Sequence, residues 1–198
     1  MMKRLATIII HCTFAALIVG CASSSPTRFY TLSSVTPPAA ASPAIYSVSV
    51  GPVSLPAVID RPQIVVRTGP NQIFIEEFDR WASPLKGDIA RVVKENLISM
   101  LETQQVSVFP QSTAAGASYR VAIDILRFDS EPGIAATLDA LWTVSSAKDT
   151  QSRSGRTTLT EPTQGGDYAA LVSAHSRAVG RLSADIAATI REIDAQKK

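Results

Sequence analysis

The sequence predicts an α/β or α+β domain in which helices cover at least one face of a mixed β-sheet, and three observations carry that expectation. Apolar and polar residues alternate over several short runs bounded by Gly and Pro, the two-residue period of half-buried strands. Two longer segments instead repeat apolar residues every three or four positions, the period of a helix with one buried face. At 198 residues, with 45% hydrophobic and 18% charged residues, the chain is large and apolar enough to enclose one core but hardly two.

The first segment reads as an export signal. Lys3 and Arg4 form a short basic region, and residues 5–20 follow as a mostly apolar stretch interrupted by Thr7, His11 and Thr13. A spanning helix needs about twenty apolar residues, and residues 23–26 are already polar, so the stretch is short for a membrane anchor. The cysteines agree with export, since the chain has only 2, Cys12 inside the signal and Cys21 just after it. Residues 21–44 are rich in Ser, Pro and Ala and read as a tether that could reach at most roughly 70 Å if fully extended. One island in it, residues 28–32, is too apolar for a spacer and is either a docked edge strand or a strand that binds a partner. Residues 45–198 are left as a single globular domain.

Within that domain, Tyr46, Val48 and Val50 alternate and end at Gly51-Pro52, a strand followed by a turn. Residues 63–67 and 72–77 form a hairpin across Thr68-Gly69-Pro70-Asn71, with Ile73 and Ile75 on one face. Ser83 is expected to cap a helix whose first residue is Pro84. Its buried face is Leu85, Ile89, Val92, Val93, Asn96, Leu97, Met100 and Leu101, and it ends near Glu102. Val106 and Val108 make a short strand closed by Pro110, and Gly116 lies in a small-residue loop. In residues 119–128, Tyr119, Val121, Ile123 and Ile125 point inward. Residues 134–144 and 157–160 complete the strands, with Pro132-Gly133 and residues 152–155 as turns. A long helix from the cap Asp167 to about Ile193 carries Tyr168, Leu171, Val172, His175, Val179, Leu182, Ile186, Ile190 and Ile193 along one stripe. Lys197 and Lys198 are expected to fray.

Charge and reactive groups exclude several function classes. Without Lys3 and Arg4, 17 basic residues face 17 acidic ones, so the domain lacks the basic excess that nucleic-acid binding requires. Outside the signal the only histidine is His175 and no second cysteine accompanies Cys21, which leaves no Cys-His pair and no zinc site of these ligands. No Gly-rich, Lys-terminated phosphate loop is present, and no serine sits in a nucleophile elbow. Glu76 and Glu77 are adjacent and so lie on opposite faces of a strand. No catalytic residue, metal or cofactor is expected, and His175 reads as a packed residue of its helix.

Two charged clusters stand out. Asp60-Arg61-Pro62 enters a strand, and Glu77-Phe78-Asp79-Arg80-Trp81 leads to a helix entrance. Asp60, Arg61, Glu77 and Arg80 could form turn-stabilising ion pairs around Trp81. Alternatively Arg61, Arg80 and Trp81 lie in a partner surface, where Arg and Trp are favoured anchors.

Leu17, Ile18, Val19, Gly20 and Cys21 resemble the lipobox of bacterial lipoproteins, in which signal residues 1–20 are removed and the Cys becomes the lipidated first residue. Several acyl chains bury many methylenes at about 0.8 kcal/mol each, enough for stable anchoring. Ala22 rather than Asp follows, which in that analogy favours the outer membrane. The order Phe29-Tyr30-Thr31-Leu32, Val50-Gly51-Pro52-Val53 with Leu55-Pro56, Asp60-Arg61-Pro62-Gln63-Ile64-Val65, and Arg80-Trp81-Ala82 with Pro84-Leu85 resembles the ABC-type transport auxiliary (PqiC-like) lipoproteins over nearly the whole chain. Ser83 departs from the Glu expected in many relatives, and a serine can still cap the helix.

That resemblance implies a three-layer α/β domain similar to the N-terminal domain of TolB. It implies an outer-membrane, periplasm-facing lipoprotein that works with an MCE-domain transport system to move lipid between the envelope membranes. Under it the candidate partner-binding residues are Phe29, Tyr30, Arg61, Arg80 and Trp81, and Cys21 is the lipidation site. A homo-oligomeric ring would match a rotationally symmetric partner. A second reading is an outer-membrane assembly or secretion lipoprotein that forms its own ring or plugs a barrel.

Overall fold

The computed structural model describes residues 25–35, 47–110, 116–147 and 152–196; the signal segment, Cys21 and Lys197–Lys198 lie outside them. The fold is a mixed α/β domain, a curled mixed sheet with two helices packed on it, as the patterns predict. The strands are β1 (Arg28–Tyr30), β2 (Val48–Ser54), β3 (Gln63–Gly69), β4 (Gln72–Trp81), β5 (Val106–Val108), β6 (Tyr119–Glu131), β7 (Ala135–Ser146) and β8 (Ser152–Pro162). The helices are α1 (Leu85–Met100) and α2 (Tyr168–Ala195).

Strand β6 is the spine. On one side it pairs along its length with β7, which in turn pairs with β8, all antiparallel. Its other side is shared: residues 119–124 pair with β2, and Ser130 pairs with Val66 of β3. The remaining order is β1-β4-β3 on one flank and β2-β5 on the other. Tyr119, Val121, Ile123 and Ile125 of β6 all face the core, so the predicted alternation sets which side of the spine the helices cover. Helix α1 lies over β2 and β5, and α2 lies over β6, β7 and β8, with the two helices touching each other. Leu182, Ile186 and Ile190 are fully enclosed, each contributing about 1.5–3 kcal/mol of burial relative to exposure.

Four local expectations are corrected. Gly51-Pro52 does not end a strand: β2 continues to Ser54 past an irregularity between Val50 and Val53, which the positive φ of Gly51 (116°) allows. Ser83 does not cap α1. Pro84, extended at ψ 123°, occupies the cap position without a side-chain bond, and its carbonyl accepts from Gly87 N (2.9 Å) and Asp88 N (3.1 Å). Residues 78–81, read as a helix entrance, are the last part of β4, because Arg80 and Trp81 pair with Phe29 and Tyr30 of β1. Residues 152–155 are not a turn but the start of β8. Gly155 is there because the Trp142 ring lies directly on it, where any Cβ would overlap the indole.

Residues 28–35, part of the predicted tether, are laid across the domain. After β1, Leu32 is buried and its N–H donates to Asp88 Oδ2 (2.7 Å) while its carbonyl accepts from Arg91 Nη2 (2.6 Å). Ser33 N donates to Ser176 Oγ (3.1 Å), and Ser34 Oγ and Val35 N both donate to Asn96 Oδ1 (2.7 and 3.3 Å). Val35 then fills the notch that Gly180 leaves in α2. This strap therefore ties β1 to both helices through buried polar groups that are satisfied.

Candidate functional site

The loop before β3, the strand β1 and the link from β4 to α1 converge at one end of the sheet. Their backbones are stitched together: Trp81 N donates to the Pro62 carbonyl and Ala82 N to the Tyr30 carbonyl, both at 2.7 Å. Between them lies a groove of about 470 Å³ lined by Phe29, Asp60, Arg61, Pro62 and residues 81–85, a size typical of small-ligand sites. Trp81, 5% exposed, forms its floor and is backed edge-on by Phe128 and His175, each with ring centroids 6.3 Å away. Phe29, 65% exposed, stands at its rim.

The two charged clusters do not pair as a single turn. Asp60 is held by Lys86 Nζ at 2.6 Å, and Arg80 donates to the Glu77 carbonyl (2.9 Å) and to Glu77 Oε1 (3.4 Å). Arg61 is left over, its Nε buried and without a hydrogen-bond partner among the described residues. Of the five candidate residues, Phe29, Arg61 and Trp81 meet in the groove. Tyr30 and Arg80 lie beside it in β1 and β4, outside its lining. Tyr30 donates to Asp79 Oδ1 (2.7 Å), and its hydroxyl is pushed up to about 12, first by burial and then by that carboxylate. Arg28 also reaches Asp79 Oδ2 (2.8 Å), so the buried Asp79 carboxylate fastens β1 to β4.

Sequence reasoning missed a second feature of this edge. Beyond the three pairs with β1, residues 72–78 of β4 have β3 on one side and no described strand on the other. There Ile73, Phe74, Ile75 and Phe78 are all exposed, Phe74 at 54%. The signal was available: three consecutive apolar residues at 73–75 cannot all face one core, since neighbours in a strand point to opposite faces. Unpaired, apolar strand edges are what other chains pair with.

His175 is packed, as its place on the helical stripe predicts. It is fully enclosed and stacked on Phe128 with centroids 4.0 Å apart, with Nε2 2.8 Å from Ser130 Oγ. Burial pushes its imidazole down to about 3, so it is neutral at physiological pH. Ser130 is equally sealed, so this nucleophile-base pair has no route to a substrate and serves as a core hydrogen bond. On the far side of the sheet Arg156 makes paired bonds to Asp139 (2.8 and 2.6 Å) and holds that carboxyl at about 2. Among the described residues no group of three or more His, Cys, Asp and Glu is placed to hold a metal, and no helix is long and apolar enough to cross a membrane.

The model of a protein family described as the ABC-type transport auxiliary lipoprotein component matches residues 30–187. Two crystal structures share the fold. A Xanthomonas campestris protein of the DUF330 family is 22% identical, with a TM-score of 0.69 over 86% of this chain and 99% of that one. A protein of uncharacterized function is 20% identical, with a TM-score of 0.68 over 84% and 99%. A PelC dodecamer from Paraburkholderia phytofirmans matches more loosely, at 14% identity and a TM-score of 0.39 over 70% and 90%. No curated protein matches the chain.

Proposed function

Because the chain belongs to the family of ABC-type transport auxiliary lipoprotein components, we propose that it is a non-enzymatic docking piece of an MCE-domain lipid transport system. In this reading Cys21 carries the acyl chains that hold the protein on the periplasmic face of the outer membrane. The domain receives the distal end of the periplasm-spanning MCE protein, and lipid passes between the two membranes to support envelope integrity.

The observation that carries the docking role is the β1–β4 edge. It combines an open strand bearing Ile73, Phe74, Ile75 and Phe78 with a groove that contains Phe29, Arg61 and Trp81. Trp81 is shared with the core, but Phe29 and the four β4 side chains are exposed, and together they have the composition of an interface: aromatic anchors, an arginine in no salt bridge with a described residue and free backbone groups. Tyr30 and Arg80 complete the same surface from beside the groove. A second copy of the chain meeting this edge would also give the homo-oligomer that a symmetric partner calls for.

Affinity purification of the lipidated protein from its native envelope after mild crosslinking tests the reading. An MCE-domain protein joined to peptides around Phe29, Arg61 or Phe74 is the expected product. Recovery of only self-crosslinks or an outer-membrane barrel would overturn it in favour of a ring or barrel plug. Cys21→Ala is expected to abolish membrane fractionation while the domain stays folded.

A further inference from the structure

The strap changes how far the domain can stand from its anchor. With β1 fixed to β4, only six residues, 22–27, separate Cys21 from Arg28, a reach of at most ~25 Å even when fully extended, not the ~70 Å of a free tether. The end of the sheet that carries β1 therefore stays nearest to whatever holds Cys21, and the groove opens beside that end, with Phe29 of β1 on its rim.

Three properties of the groove say what it accepts. Arg61 lines the groove and forms no salt bridge with a described residue, and its neighbour Asp60 is engaged by Lys86 at 2.6 Å, so the guanidinium can take an oxyanion from outside the chain. The rest of the lining is largely apolar, with Trp81, Leu85, Phe29 and two prolines. Pro62 and Pro84 also have no N–H to offer, which disfavours an extended peptide, because peptides are held mainly by backbone bonds.

We infer that the groove binds one phospholipid from the anchoring membrane, its phosphate on the Arg61 guanidinium and its first methylenes over Trp81, Pro62 and Phe29. The guanidinium fork matches phosphate oxygens, and the indole and phenyl rings suit a membrane interface. This rests on the proposed anchoring through Cys21 and deepens that reading, because it gives the docking piece a lipid contact of its own.

The test uses the full-length lipidated chain in its native envelope, grown with radiolabelled phosphate, with a photoreactive phenylalanine analogue replacing Ser83 at the groove or, as control, Ser154 on β8. Irradiation is expected to attach labelled lipid at position 83 and not at 154. Arg61→Glu should reduce the label by about fivefold or more, with Arg61→Lys retaining part of it. Thermal unfolding should be unchanged in both variants, because Arg61 Nε has no hydrogen-bond partner among the described residues. Equal labelling at both positions, labelling indifferent to Arg61→Glu, or attachment of a protein instead of lipid would each overturn the inference. A chain that still captures its partner through the Phe74 edge but takes no lipid at position 83 would sink this inference and leave the docking role standing.

Discussion

The two flanks of the spine strand β6 are built to different rules. On the β7–β8 flank, beneath α2, the inward apolar side chains are enclosed and several buried polar ones are matched: Trp142 Nε1 donates to Thr157 Oγ1 (3.0 Å), and on the far face Asp139 takes both Arg156 bonds and one from Thr158, whereas Thr163 Oγ1 just past β8 and His175 Nδ1 on α2 have no hydrogen-bond partner among the described residues. On the β3–β4–β1 flank, four large apolar side chains of β4 face solvent and an arginine nitrogen is buried without a partner. Buried polar atoms without partners occur on both flanks, so it is the four exposed apolar side chains along a strand paired on one side only that mark the β4 edge as open for contacts beyond this chain.

Substitution should separate the flanks by stability. Leu182→Ala, which empties a site on α2 enclosed by the core, is expected to lower unfolding free energy by about 2–5 kcal/mol in denaturant titration, with Phe74→Ser costing less than about 0.5 kcal/mol. A large loss from Phe74→Ser would mean that the edge belongs to the core after all.

The strap lies between these extremes. Asn96 accepts from Ser34 and Val35 and donates to Ser183 Oγ at 3.1 Å, so one buried amide joins the strap to both helices. Asn96→Ala is expected to cost about 1–3 kcal/mol and to speed amide hydrogen exchange at Leu32 and Val35 ahead of the sheet. Uniform exchange would show that the strap contributes nothing of its own.

Acid should weaken the core in two windows. Burial lowers His175 from its ordinary 6.5 to about 3, so the unfolded chain binds its proton first; the stability this carries is full above pH 6.5 and drains as pH falls toward 3. The slope is at most about 1.4 kcal/mol per pH unit, and it should disappear in His175→Phe. Asp139, depressed from 3.8 to about 2, contributes stability that is present above pH 3.8 and lost on the way down to 2. A flat profile from pH 6.5 to 4 in the wild-type chain would contradict the buried neutral imidazole.

Much of this fold is written locally. The alternation at residues 119–125 and the stripe from Tyr168 to Ile193 each specify a face without reference to the rest of the chain, and both faces are buried as their periods require. What local pattern could not show was pairing across distance. Gly155 reads as a turn until Trp142 is laid on it, and Ser33 to Val35 read as spacer until Asn96, Ser176 and Gly180 receive them. The site divides the same way. Arg61 and Trp81 were marked by their chemistry, but the Lys86 bond that takes Asp60 away from Arg61 depends on how α1 meets the loop before β3. Asn96 was a clue in plain view, an amide in an otherwise apolar stripe.

The most direct test of the contrast between the flanks is a pair of photocrosslinking experiments in the native envelope, with the probe at Phe74 on the open β4 edge or at Leu141, an equally apolar exposed residue on β7. Protein adducts are expected from position 74 and none from position 141. Adducts from 141 alone, or equal adducts from both, would contradict that contrast.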